Sequence, residues 1–245
     1  MDDIERFYQE ELDNTTNGYL KRRIINQDIR MDELVAKARE KQPNLIVVDR
    51  AVYGKNQNYL TPENRVPEEP LPYPWESCII SGGGWSYTPE AIYMSGREGI
   101  QLLVDIVAKG GNLLLNIAPS PEGEWQSGAY ELLEAYGDWL NINGEGIYNS
   151  QVLPPYKEGE ICMTQNPNGN AYFFCPDKDG KNVLPTEIII HSHQPAASAE
   201  VILLGFSKPL SWSNQGQGFK VAIPEELRKN PPCNNIWTIK VSQIQ

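Results

Sequence analysis

Cysteine and histidine are scarce in this chain, with four Cys and two His in 245 residues. Cys78, Cys162, Cys175 and Cys233 are widely scattered and form no Cys-x-x-Cys pair. With only His191 and His193 beside them, the spacing argues against a zinc site and leaves buried or half-buried thiols. Long apolar runs are missing as well: no window approaches the roughly 18 uninterrupted apolar residues that a membrane span needs. Positive charge is in deficit, 21 Lys and Arg against 32 Asp and Glu, a formal net charge of −11. That balance disfavours nucleic acid and anionic membranes as partners, because phosphates call for clustered cations. A neutral or cationic ligand is the easier fit. The amino terminus, MDDIERFYQEEL, is acidic and helical in pattern, with neither the basic start nor the apolar stretch of a secretory signal. Either the protein is cytoplasmic, or the chain does not begin where the natural one does.

Hydrophobic residues at 40% and charged residues at 22% are ordinary for a globular protein. Up to residue 148 the pattern alternates helix and strand. Met31, Leu34, Val35 and Ala38 fall on one helical face that Pro43 ends, and LIVVD (45–49) reads as a strand covered on both faces. The segment NYLTPENRVPEEPLPYPWESC (58–78) follows, with five prolines and four glutamates. It is expected to be irregular until WESCII (75–80), the second strand. Ser95 and Glu98 form a capping box before a helix that Lys109-Gly110-Gly111 closes. NLLLNIA (112–118) is a third buried strand, SPEG (120–123) a turn, and a last helix covers about 127–142.

Alternating short strands and amphipathic helices predict parallel β/α units, with all strand carboxyl ends on one face. From about residue 150 the chain changes to short β-branched and aromatic runs (ICMTQ, NAYFFCP, TEIIIHSH, AEVILLGF, GFKVAIP, IWTIKVSQ) punctuated by Asn, Gly, Pro and Asp. These predict an antiparallel β-sandwich. The expected organisation is therefore α/β: residues 1–148 as the carboxyl-terminal half of a (β/α)₈-like barrel, then a β-sandwich domain over 149–245. A full barrel takes roughly 200 residues or more, so the chain is expected to be the carboxyl half of something longer. The edges of a half barrel would favour self-association or pairing with an amino-terminal half.

Four groups of residues stand out as candidates. Glu63 follows Thr-Pro in a segment stiffened by proline and aromatics, where a positioned carboxyl could act as a general acid. The alternative for it, as for Glu68, Glu69 and Glu76, is a solvated loop. Arg50, directly after the LIVVD strand, is either a ligand clamp or a salt-bridge partner of Asp49 or a loop carboxylate. SGGGWSY (81–87) lacks the Lys-Ser/Thr of a phosphate loop; it reads as a flexible turn presenting Trp85 and Tyr87 to an apolar or sugar face, or simply packing them. His191 and His193 share one face of a strand and read as structural or surface residues.

The succession QDIRMDELVAKAREKQPNLIVVDR, NYLTPENRVP, YPWESC, GGGWSY, VAKGGNLLLNIAPSPEG and WLNINGEGIYNS resembles the α-L-fucosidases of glycoside hydrolase family 29. The likeness runs in order from about residue 25 to 150, and residues 150–245 resemble that family's carboxyl-terminal β-sandwich more loosely. The resemblance implies a retaining glycosidase that removes terminal α-L-fucose from glycans or fucosides, working with an aspartate nucleophile and a second carboxyl as acid/base. No metal or organic cofactor is implied. By position, Glu63 matches the acid/base, Arg50 a residue that hydrogen-bonds fucose, and Trp85 an aromatic that packs against the sugar and its methyl group. Trp75 is a weaker candidate for the pocket wall. Members are commonly secreted, periplasmic or lysosomal. The family's nucleophile stands in a Trp-x-Asp-Gly type stretch for which this chain has no equivalent; Asp49 is a possible stand-in, and Asp138-Trp139 has the wrong order. The other reading is a non-catalytic carbohydrate-binding or interaction remnant of a fucosidase.

Overall fold

The computed structural model describes residues 29–48 and 55–245. Helix α1 spans Met31–Lys41. Of its predicted apolar face Val35 is buried, whereas Leu34 is 57% exposed. Strands β1 (Trp75–Ile80) and β2 (Gly111–Asn116) pair in parallel, Trp75 opposite Gly111 and Ile80 opposite Asn116. Helix α2 (Gly96–Ala108) joins them. It starts at the predicted capping box: the Ser95 side chain accepts from the Glu98 amide, and Glu98 reaches back to the Ser95 amide. Helix α3 covers Ser127–Asn143.

Two further extended segments continue the parallel sheet. Val48 bridges Tyr59, Leu60 bridges Trp75 and Glu63 bridges Cys78, all in parallel. Residues 58–63 are therefore strand-like, which corrects the expectation that everything from 58 to 74 is irregular. The departure has a simple cause. Leu60 N–H donates to the Pro74 carbonyl and Asn64 N–H to the Cys78 carbonyl, at 2.9 and 2.7 Å. Between them the same ladder position falls on Pro62, which has no N–H. The pairing survives on either side of that one missing bond.

The remaining prolines lie in the return leg, residues 64–74, which crosses to β1 without a helix. Val66, Leu71 and Tyr73 pack against buried Leu60, Trp75 and Ile106. Lys109, itself buried, donates through Nζ to the Pro67 carbonyl at 3.0 Å and to Asp105 at 2.9 Å. Ser77 Oγ donates to the Arg65 carbonyl at 2.8 Å. A rigid extended segment, pinned at these points, covers the core where a β/α unit would place a helix.

Beyond α3 the chain forms β3 (Gln151–Glu158), β4 (Ile161–Gln165), β5 (Ala171–Pro176), β6 (Glu187–Ile190), β7 (Val201–Leu203), β8 (Trp212–Gln215), β9 (Gly218–Ala222), the short helix α4 (Glu225–Lys229) and β10 (Ile236–Val241). Antiparallel pairing gives a five-stranded sheet, β3-β4-β5-β10-β7, and a three-stranded sheet, β6-β9-β8. Residues of β5 divide between the two faces. Ala171, Phe173 and Cys175 point into the core between the sheets, while Tyr172 and Phe174 point outward onto α2 and α3. The five-stranded sheet is thus buried on both sides.

Strand β6 ends at Ile190, so His191 and His193 lie just past the strand they were expected to occupy. His193 packs edge-on to Phe173, centroids 5.9 Å apart. All four cysteines are free thiols. Burial pushes the Cys162 thiol up to about 11 and that of Cys175 up to about 12.

Candidate active site

The faces of the parallel sheet follow from register. Leu60, Trp75, Leu113 and Leu115 point to the helices, as their places in the buried clusters show. Side chains alternate along a strand and stay level between paired residues. The other face therefore carries rows: Thr61, Glu76, Asn112; then Glu63, Cys78, Leu114; then Ile80 and Asn116 nearest the carboxyl ends. Leu114 is 48% exposed, and Ile46, on the same face further along the sheet, is 65% exposed. Both were expected in strands covered on two sides. Their exposure shows that, among the described residues, this face stands open.

Glu63 is exposed and sits on that open face. The next residue fixes it. Asn64 takes the left-handed conformation, φ 52°, and turns the chain off the sheet. Its N–H donates to the Cys78 carbonyl and its side-chain Oδ1 accepts the Ile80 N–H at 3.3 Å. One asparagine ends the segment and fastens it to the last turn of β1's ladder.

Trp85 reaches the same rim from the loop after β1. Ser81 N–H and Oγ both donate to the Asn116 carbonyl, and Met94 N–H returns to the Ser81 carbonyl. At the loop's neck a Cβ on Gly82 would stand 2.7 Å from the Ile92 carbonyl oxygen, so only glycine fits there. Gly83, at φ 69°, supplies the left-handed turn beside it. Asn116 Nδ2 donates to the Trp85 carbonyl at 3.4 Å. Trp85 itself is 42% exposed. Asn116 lies two strands over and one row up from Glu63, about 12 Å between Cα atoms from standard sheet spacings. Two side chains and one pyranose ring can fill that gap.

The other sequence candidates fall elsewhere. Arg50 and Asp49 lie outside the described residues. Trp75 is 1% exposed, at the amino end of β1, with its indole N–H donating to the Lys109 carbonyl at 3.4 Å. It packs the sheet against α2 and is not a pocket wall, since its alternation places it on the helix side. Asp138 is on α3, behind the sheet. Asn64 and Gln126 were not singled out from the sequence. An Asn directly after a Pro-Glu pair at a strand end is the signal that could have marked the first of them. Among the described residues no three of His, Cys, Asp and Glu group to hold a metal ion.

A family model described as "Alpha-L-fucosidase" matches residues 6–145, and one described as "Alpha-L-fucosidase C-terminal domain" matches residues 162–242. The chain belongs to the α-L-fucosidase family. It is 32% identical over 205 residues to the plasma α-L-fucosidase of Rattus norvegicus and 30% identical over 189 residues to that of Homo sapiens. Those matches cover 78% and 73% of this chain but 43% and 39% of the relatives, so the chain spans less than half their length. Among solved structures, α-L-fucosidase isoenzyme 1 from Paenibacillus thiaminolyticus superposes with a TM-score of 0.74 at 23% identity, over 87% of this chain and 53% of that one. The α-fucosidase of Thermotoga maritima, in complex with a mechanism-based inhibitor, gives 0.73 at 23% identity over 87% and 49%. At that identity the likeness establishes the fold: part of a barrel followed by a β-sandwich.

Proposed function

We propose that this fucosidase-family chain carries the acid/base half of a retaining α-L-fucosidase site. Glu63 is the acid/base and Trp85 the platform for the sugar's apolar face. The observation behind this reading is that Glu63 lies on the open face of the parallel sheet, locked by Asn64, with the exposed Trp85 tethered across the rim by Asn116. In the first step Glu63 would protonate the glycosidic oxygen as the anomeric carbon leaves it and bonds to a carboxylate nucleophile. In the second Glu63 would take a proton from the water that displaces that carboxylate. A terminal α-L-fucoside is neutral, which suits an acidic chain. Arg50 is kept as a fucose hydrogen-bond donor in this reading.

One observation favours the binding-only alternative for these residues taken alone. Retaining hydrolysis needs two carboxyl groups about 5–5.5 Å apart. Among the described residues, the row-mates of Glu63 are Cys78 and Leu114, and Glu76 lies one row toward the amino ends, away from the rim. Release of nitrophenol from an aryl α-L-fucoside, by the chain and by Glu63→Ala, separates the two. Turnover that drops about 10²–10⁴-fold in deglycosylation, and recovers with azide as fucosyl azide forms, supports the acid/base role. Turnover unchanged by Glu63→Ala refutes it. L-fucose binding without turnover in either protein makes the chain a sugar-binding portion.

A further inference from the structure

The loop after β2 carries an aromatic pair that the site described above does not use. Trp125 precedes the first capping residue of α3, Gln126, and Tyr130 lies in the helix's first turn. Their rings stand 5.6 Å apart at 54°. This is the placement of a hydrophobic staple, in which the residue before the cap packs on the fourth helical residue. A staple explains why the two rings touch. It does not explain why they remain 40% and 45% exposed, since two aliphatic side chains would close the same contact with less apolar surface in water.

Their position supplies the reason. The Gln126 side-chain amide spans the gap to the neighbouring loop: Oε1 accepts the Ala91 N–H at 3.0 Å and Nε2 donates to the Thr88 carbonyl at 2.8 Å. Trp85 is three residues from Thr88, at most about 11 Å of chain. The SPEG turn stiffens the approach, with Ser120 N–H donating to the Glu124 carbonyl at 2.8 Å and Ser120 Oγ accepting the Glu122 N–H at 3.2 Å. So Trp125 and Trp85 stand on two adjacent, cross-tied loops at the carboxyl-end rim of the same strands.

We infer that Trp125 and Tyr130 form the subsite for the sugar to which fucose is attached, a neutral hexose or N-acetylhexosamine in the leaving group. The inference rests on the fucose site proposed above. Pyranose rings present patches of C–H to an aromatic face while their hydroxyls stay in water, so such a subsite needs open rings and no buried polar partners. The chain's excess of acidic groups agrees with a neutral ligand. Because the staple and the Gln126 clamp hold the rings before ligand arrives, little further ordering is needed on binding.

Calorimetric titration with L-fucose, lactose, 2′-fucosyllactose and 3-fucosyllactose tests this, on the chain and on Trp125→Leu and Tyr130→Leu, which keep an apolar staple. The better-bound trisaccharide is expected to bind about tenfold tighter than L-fucose. Trp125→Leu should bring that ratio to about one or two while leaving the L-fucose Kd unchanged. A ratio that survives both substitutions, with L-fucose still bound, overturns the subsite and leaves the fucose site standing. A changed elution volume in Trp125→Leu with an unchanged ratio overturns it in favour of a protein contact. If the unsubstituted chain binds none of the four sugars, the fucose site falls and the subsite with it.

Discussion

Asn64 offers the most direct test of how the acid/base candidate is held. Two separate contributions act at this residue. Its left-handed φ of 52° is strained for most side chains, and alanine there is expected to cost about 1–2 kcal/mol. Its Oδ1 bond to the Ile80 N–H, at 3.3 Å in an exposed setting, contributes about 0.5–1 kcal/mol. Asn64→Ala loses both and should be destabilised by about 1.5–3 kcal/mol. Asn64→Gly keeps the backbone conformation, loses the side-chain bond, and adds unfolded-state entropy of about 0.4–1 kcal/mol, for about 1–2 in all. The ranking Asn, then Gly, then Ala is the prediction, read from urea midpoints at unchanged m-value. The functional arm is separate: both variants lose the side-chain bond that fastens the residue after Glu63 to Ile80, so any turnover should fall while L-fucose affinity, which the proposed site assigns to Trp85, changes little. Glycine as destabilising as alanine would refute the backbone argument. Unaltered turnover in a destabilised Asn64→Ala would refute the link between Asn64 and Glu63.

Phe174→Ala removes a 1%-exposed ring that packs on Trp139 between the helices and the five-stranded sheet, and should cost about 3–5 kcal/mol. Tryptophan fluorescence and far-UV circular dichroism should still report one shared transition; two separated transitions would show that the halves do not share a core. For His193, burial lowers its pKa below the ordinary histidine value, with Glu158 and the Pro154 backbone opposing more weakly. The unfolded chain therefore binds the proton more readily, and this residue's stabilisation, fully present above about pH 6.5, is lost as pH falls through the lowered folded value. His193→Gln should flatten that part of the stability-against-pH curve; an unchanged slope refutes the assignment.

Much of the fold was legible because its signals were local. The Ser95–Glu98 box, the Lys109-Gly110-Gly111 stop and the β-branched runs after residue 150 each mark an element by short-range chemistry, and each appears where expected. What escaped depended on partners distant in sequence. The strand character of residues 58–63 is set by β1, a neighbour the proline count could not reveal. β3 carries two prolines in QVLPPYKE, and its pairing with β4 shifts register between Val152 and Lys157, so no even alternation announced it. The candidate site was half legible. Glu63 and Trp85 were visible as residue types in unusual surroundings. Trp75 was misplaced because a tryptophan beside a glutamate looks the same in sequence whether it faces the helices or the open side.

The arrangement of layers bears on why so short a parallel sheet keeps its register. Helix α2 has two apolar sides. Ile106 joins Leu60 and Trp75 on the parallel sheet, whereas Ile100, Val104 and Val107 join Tyr172 and Phe174 on the antiparallel one. Polar contacts follow the same seam: Trp139 Nε1 donates to the Ile236 carbonyl at 2.8 Å and Thr164 Oγ1 to the Gly146 carbonyl at 2.8 Å. Tyr172 and Lys240 both bond Glu145, in the turn that ends α3. The sandwich thus acts as the rigid back of the helices, and the helices as the rigid back of β1 and β2. Among the described residues, support arrives from the side away from Glu63. A chain cut at residue 149 would leave Ile100, Val104, Val107 and Trp139 uncovered, and the parallel sheet would lose the layer that steadies its rim.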